Sequence, residues 1–312
     1  MKSPKVHILL STYNGAKYIE EQLKSIFEQT YQNFTLFVRD DGSSDNTVEI
    51  LKSFIKEYEI TSDKIIILPN EQNINIGWKS SFWMLMDKCG GADYYAFADQ
   101  DDVWLPEKLE YAVEKIRKEN VEIPTFYFSQ YYYCDENLNK LHLAPTPTLP
   151  IAFKDVMFYT PAFGFSMVIN ECLRNKALET NERDGLVHDG WLQKIAAALG
   201  KIIYDERCTA LYRRHSGAVT FSNVNLIATL RYWLKEEILG SNMREFTHFH
   251  LNRFYEVYKT DLNGEDLKLL ELYVYETKSA SRWIKRVFCN KRFRPSLSGE
   301  IALRICFFLN RY

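Results

Sequence analysis

The sequence predicts an α/β domain built on a mostly parallel sheet flanked by helices, followed by a helical C-terminal segment. Three observations carry that reading. Short apolar runs alternate with amphipathic helical runs through the first hundred residues, polar clusters stand directly after the first, second and fourth of those runs, and from about Asn225 onward the pattern is helical.

Val6-His-Ile-Leu-Leu10 reads as the first strand, and Ile19, Leu23, Ile26 and Phe27 recur behind it at helical spacing. Phe34-Thr-Leu-Phe-Val38 is the second, followed by a helix with Val48, Leu51, Ile55 and Tyr58 on one face. Lys64-Ile-Ile-Ile-Leu68 is the third, before a helix marked by Phe82, Leu85 and Met86. Tyr94-Tyr-Ala-Phe-Ala98 is the fourth, and Pro106 suits the first position of a helix that buries Leu109, Ala112, Val113 and Ile116. Beyond Thr125 come longer β-like runs, Phe126 to Cys134 and Phe163 to Ile169, around a proline-punctuated loop from Ala144 to Pro150. A boundary near Ser222 separates an α/β domain, residues 1–222, from a helical, basic region, residues 223–312.

With 312 residues, 46% hydrophobic and 26% charged, the chain can bury a sizeable core and falls outside the disordered classes. Its six cysteines form no CxxC pair and read as reduced thiols. The N-terminal stretch resembles neither a signal peptide nor a membrane span, so a cytosolic protein is expected. Net charge is −2 but uneven: between Lys278 and Arg304 eight basic residues face only Glu300, giving +7 and leaving −9 elsewhere. A basic tail on an acidic body points to peripheral docking on an anionic membrane leaflet, or else to a solvated basic helix. No module signature supports nucleic-acid binding.

Parallel sheets bind ligands at the carboxyl ends of their strands, where Ser11-Thr-Tyr-Asn-Gly15, Asp40-Asp-Gly-Ser-Ser-Asp45 and Asp99-Gln-Asp-Asp102 fall. Three carboxylates within four residues repel one another, and a Mg²⁺ or Mn²⁺ ion sharing its shell with substrate phosphates resolves the conflict. The alternative is an acidic turn capping the helix at Pro106. Ser43, Ser44 and Asp45 suit a turn and helix cap, whereas Asp40 can accept from a pyrimidine N3–H or a ribose hydroxyl.

Ser11-Thr-Tyr-Asn-Gly15, Val38-Arg-Asp-Asp-Gly-Ser-Ser-Asp45, Asn75-Ile-Gly77 and Asp99-Gln-Asp-Asp-Val-Trp104 together resemble the successive signatures of family 2 glycosyltransferases, enzymes of the GT-A fold. The resemblance implies that Thr12, Tyr13 and Asp40 hold the nucleoside of a nucleoside-diphosphate sugar. It gives Asp99 and Asp101, as a DXD motif, to the metal and diphosphate. Asn14, Asp41, Asn75, Gly77, Gln100 and Arg214 complete the expected donor set, and Asp102 contacts ribose or phosphate or only orders the loop.

It extends to His188-Asp-Gly-Trp191, making Asp189 the general base that takes the acceptor hydroxyl's proton, with a helix N-cap as the alternative. His188 stands where the family usually has Glu. In Leu211-Tyr-Arg-Arg-His215, His215 matches a third metal ligand or a structural hydrogen-bonder, and Arg213 and Arg214 could pair with phosphate. Trp104 and Trp191 are either a sugar wall or core. These variants look most like bacterial rhamnosyltransferases of cell-wall and capsular polysaccharide assembly, implying dTDP-L-rhamnose as donor and a lipid-linked or other saccharide as acceptor. A UDP-hexose or UDP-N-acetylhexosamine donor stays open. A sugar-phosphate nucleotidyltransferase fits less well, because no glycine- and lysine-rich loop follows the first strand.

Overall fold

The structure, a computed structural model, describes residues 3–215, 242–275 and 279–310. Strands β1 (Val6–Thr12), β2 (Phe34–Asp40), β3 (Ile65–Ile67) and β4 (Tyr94–Asp99) alternate with helices α1 (Ile19–Phe27), α2 (Thr47–Glu57) and α3 (Gly77–Lys88). Then follow β5 (Val103–Trp104), α4 (Lys108–Ile116), β6 (Thr125–Cys134), β7 (Lys140–Leu143), α5 (Phe153–Met157), β8 (Met167–Asn170), α6 (Glu171–Leu178), α7 (His188–Leu199) and β9 (Lys201–Arg213). The strands form one sheet in the order β3-β2-β1-β4-β8-β6-β9-β5, with β7 on β6.

The β3-β2-β1-β4 half is parallel. Its central strands are covered on both faces, which is why they read as unbroken apolar runs rather than alternating ones. Pairing register sets Thr12 beside Asp40 and Ser11 beside Asp99, so the chain leaves the sheet for three polar loops at one edge. β8 runs antiparallel between β4 and β6, and β6 and β9 are parallel to each other.

One predicted strand begins late. Gly164–Ser166 is a 3-10 turn and β8 starts at Met167, because Ser166 closes on Phe163 O through both its amide, at 3.0 Å, and its hydroxyl, at 2.8 Å. The helix expected from Pro106 starts at Lys108, with Glu107 as its cap residue.

The chain divides into two compact units: Met1–Thr146 with Ala162–Ala196 and Gly200–His215, and Pro147–Pro161 with Ala197–Leu199 and Ser216–Tyr312. The expected boundary near Ser222 lies outside the described residues. Among the described residues of the second unit the helices are α5, α8 (Asn242–Tyr258), α9 (Gly264–Val274), α10 (Ala280–Val287) and α11 (Leu297–Phe308). Its centre is aromatic: the Phe158 ring meets Tyr273, Phe293 and Phe307 edge-on at 5.0, 5.1 and 5.3 Å. All six cysteines are free thiols. No helix among the described residues is long and apolar enough to cross a membrane.

Candidate active site

The loops after β1 and β2 are stitched by side chains. Thr12 Oγ1 donates to Asp40 Oδ1 at 2.9 Å, and Asp40 also accepts from Gly42 N, Ser43 N and Ser43 Oγ at 3.2, 2.8 and 2.6 Å. Four donors match the lone-pair capacity of one carboxylate, so Asp40 organises its own turn, and any further donor reaching it must exchange with one of them. Asn14, at φ 46°, accepts from Ser44 N at 2.8 Å and donates its own amide to Ser43 Oγ at 2.9 Å. Gly15 N donates to Thr47 Oγ1 and Ala16 N to Asp45 Oδ2. Ser43, Ser44 and Asp45 thus form the turn the sequence suggested, but they brace the β1 loop as well.

Gln100 clasps the same loop from the β4 side. Its amide accepts from Tyr13 N at 2.8 Å and donates to Tyr13 O at 2.9 Å. The clasp needs a glycine next to it, since a Cβ on Gly15 would lie 2.2 Å from Gln100 Oε1. Gly15→Ala is therefore expected to expel Gln100, cost about 1–2 kcal/mol for two hydrogen bonds and weaken donor affinity, measured by urea unfolding and titration calorimetry.

Asp41 is turned inward. Buried, it pairs with buried Arg39 and accepts from Ile76 N and Gly77 N at 2.8 Å each, holding the start of α3. Arg39 also donates to Ser81 Oγ at 2.7 Å. Asn75 Oδ1 takes a second bond from Gly77 N at 3.0 Å, so Asn75 and Gly77 set the α3 entry. Gly77 adopts φ +81°, a conformation that favours glycine. Trp78, which follows it, leaves an indole edge exposed and meets the His188 ring edge-on at 6.1 Å.

The acidic loop does not cap a helix: β5 intervenes before α4. Asp101 Oδ2 and His215 Nε2 are 2.8 Å apart, bringing together two residues 114 positions apart. Asp102 is buried, with Oδ1 accepting from Arg213 N at 3.0 Å and Oδ2 unpaired. Through that bond it anchors the loop to β9. Arg213 is also buried; its guanidinium donates to Asp101 O at 2.8 Å, to Glu136 O and to Glu21, so it staples the loop and is not available to a phosphate. Arg214 lies beside the Tyr133 and Tyr212 rings, 5.7 and 5.6 Å from their centroids.

Burial, then the charges of Asp101 and Asp189, push the Asp99 carboxyl up to about 7. Burial also pushes Asp189 up to about 6, against the opposing pull of the Gly190 and Gly164 amides and the Lys194 ammonium. Lys194 is itself lowered to about 8 by burial. Asp189 sits in the first turn of α7, whose cap residue is Val187, so it is not the N-cap. His188 is buried against Phe82 and Phe97, with both ring nitrogens unpaired, and burial lowers it to about 3. It is a neutral packing ring in this site. Trp104 and Trp191 are buried and belong to the core instead of an open sugar wall.

Among the described residues no three His, Cys, Asp or Glu side chains stand grouped to hold a metal. Asp101 and His215 converge, and Asp99 carries repulsion from two neighbouring carboxylates that a divalent cation would relieve. Mg²⁺ or Mn²⁺ needs only one or two carboxylates when substrate phosphates complete its shell.

Comparison with known proteins agrees with this geometry. The chain is 29% identical over 247 residues, 73% of its length and 82% of the relative, to the dTDP-rhamnosyl transferase RfbG of Shigella flexneri. It is 30% identical over 132 residues to the UDP-Glc:alpha-D-GlcNAc-diphosphoundecaprenol beta-1,3-glucosyltransferase WfgD of Escherichia coli, covering 42% of this chain and 47% of that one. The mannosyltransferase PcManGT of Pyrobaculum calidifontis, solved with GDP-Man and Mn²⁺, superposes over 100% of this chain and 86% of its own with a TM-score of 0.51 at 13% identity. The fold is GT-A. The profile of glycosyl transferase family 2 matches residues 7–172, just over half of the chain, and the protein belongs to that family.

Proposed function

We propose that this glycosyltransferase is an inverting, metal-dependent enzyme that moves L-rhamnose from dTDP-L-rhamnose onto a lipid-linked or polysaccharide acceptor in cell-wall or capsule assembly. Residues 1–222 carry the reaction, residues 223–312 form the accessory region, and the work is done at the cytoplasmic face of the membrane. The observation that carries the chemistry is the polar edge after β1, β2 and β4, where Thr12 bonds Asp40 at 2.9 Å and Asp101 meets His215 at 2.8 Å, with the charge of Asp189 on α7 among the causes that raise Asp99. Support for the donor comes from the likeness to RfbG, which spans most of both chains.

The residues divide the task. Thr12, Tyr13, Asn14 and Asp40, with Gln100 behind them, present the nucleoside site. Asp99, Asp101 and His215 would hold the divalent cation, which when bound screens the departing diphosphate as a Lewis acid. Arg214 is assigned to the diphosphate. Asp189 takes the proton of the acceptor hydroxyl as that oxygen attacks the anomeric carbon. Burial makes its carboxylate a stronger base than an exposed one, while a value of about 6 leaves it ionised near neutrality. Neutral, apolar-packed His188 places no positive charge beside it, and Arg213 fixes the backbone of the acidic loop.

A second reading, a UDP-glucose donor, is favoured by the likeness to WfgD, although that match covers under half of each chain. A thermal-shift panel with Mn²⁺ separates them. dTDP-L-rhamnose is expected to raise the melting temperature more than UDP-glucose, UDP-galactose or UDP-N-acetylhexosamines at equal concentration. A larger shift with a UDP-sugar sinks the rhamnosyl assignment, and no shift with any sugar nucleotide sinks the donor site as a whole.

A further inference from the structure

The geometry assigns the outer face of α11, with the adjoining end of α10, as a docking surface for an anionic lipid bilayer. Helix α11 carries apolar residues on two sides. One side, Ala302, Leu303, Cys306 and Phe307, is buried in its own unit. The opposite side repeats Leu297, Ile301, Ile305 and Phe308 at helical spacing, and these remain 69%, 51%, 40% and 58% exposed. Water-facing helices carry polar residues on that side, so a second apolar stripe marks a surface that meets something other than water. Helix α10 packs on α11, with Trp283 Nε1 donating to Phe308 O at 3.0 Å, and adds Ile284 and Phe288, 49% and 74% exposed.

Charge chooses the occupant. Of the cations between Lys278 and Arg304, Arg286 and Arg294 are buried and bond to backbone carbonyls of Leu272, Tyr275 and Phe158, and Arg304 is held by Glu300. The tail is thus less basic at its surface than its composition implies. Lys285 and Arg292 are exposed, and Arg282 and Lys291 partly so. The only acid among residues 279–310, Glu300, is turned inward onto the amides of Phe293 and Arg294 at 2.9 Å. Glu265 of α9 lies 3.9 Å from Lys291. An apolar stripe edged by cations and lacking exposed carboxylates of its own suits an interfacial helix on anionic lipid, and would set like charge against like in a pairing of two copies.

This rests on the acceptor reading above only for the reason a bilayer is visited. The test is co-sedimentation of the full chain with phosphatidylglycerol–phosphatidylcholine vesicles and with pure phosphatidylcholine, without donor, so that it can fail independently of the donor thermal shift. The wild type is expected to bind the anionic vesicles, and Ile301→Gln/Ile305→Gln to bind about tenfold less with an unchanged melting curve. Should the double variant melt early, Phe288→Ser at the most exposed position gives the same comparison. Wild-type protein left in the supernatant, a variant that binds equally, or equal binding to neutral vesicles overturns the assignment. So does a wild-type dimer that the double substitution converts to monomer without any vesicle binding.

Discussion

Asp189→Asn is expected to lower kcat by about 10²–10⁴-fold, the usual worth of a positioned general base, while donor affinity stays within about twofold. The side chain keeps its size, and Asp189, in the first turn of α7, makes none of the hydrogen bonds that fasten the loops after β1 and β2. The pH profile tests the same residue. Because the folded enzyme holds Asp189 near 6, well above an exposed carboxyl, the ionised base is scarce below that value, and kcat/KM should climb about tenfold per pH unit up to about 6 and then level. Asp189→Asn should abolish that limb. A variant that retains turnover, or one that loses donor binding in parallel, removes Asp189 from the role of base.

Asp101→Asn is expected to cost transfer about as heavily and to abolish stabilisation by Mn²⁺. In the ligand-free protein Asp99 and Asp189 both sit above their unfolded values near 4, so the folded state binds protons more tightly than the unfolded one. Their contribution is present at acid pH and is lost as pH rises through about 6 and 7. A divalent cation reverses the sign by favouring the ionised carboxylates. Mn²⁺ at a hundredfold excess over its Kd should then add about 2.7 kcal/mol, roughly 5–10 °C in Tm, at pH 8 and much less at pH 5. Calorimetry with and without EDTA measures this. Full transfer in chelator would take Asp99, Asp101 and His215 out of the metal role together.

The parallel half of the fold is legible in the sequence because β1, β2 and β4 are buried on both faces and so carry uninterrupted apolar residues ahead of their polar loops. β9 is not. Its charged segment Asp205-Glu-Arg207 sits where the register against β6 shifts, between Ser129 and Gln130, and the ladder's irregularity erases the alternation that would announce a strand. Among the site residues, Asp101 and His215 are named by motif resemblance, and their side chains lie 2.8 Å apart. Arg213 and Asp41 do not behave as local spacing implies. Each is defined by partners far away in the chain: Arg213 by Asp101 and Glu21, Asp41 by the amides of Ile76 and Gly77. A charged residue beside a motif looks the same in sequence whether it faces ligand or scaffold, and only burial separates the two.

The cross-stitching of the β1 and β2 loops, with Gln100 locked to both backbone groups of Tyr13, has a thermodynamic corollary. A cradle already fastened in its working shape surrenders little disorder when a sugar nucleotide arrives. Under the proposed assignment, most of the intrinsic attraction for the nucleoside is then realised as affinity, and discrimination among donors is left to the sugar end.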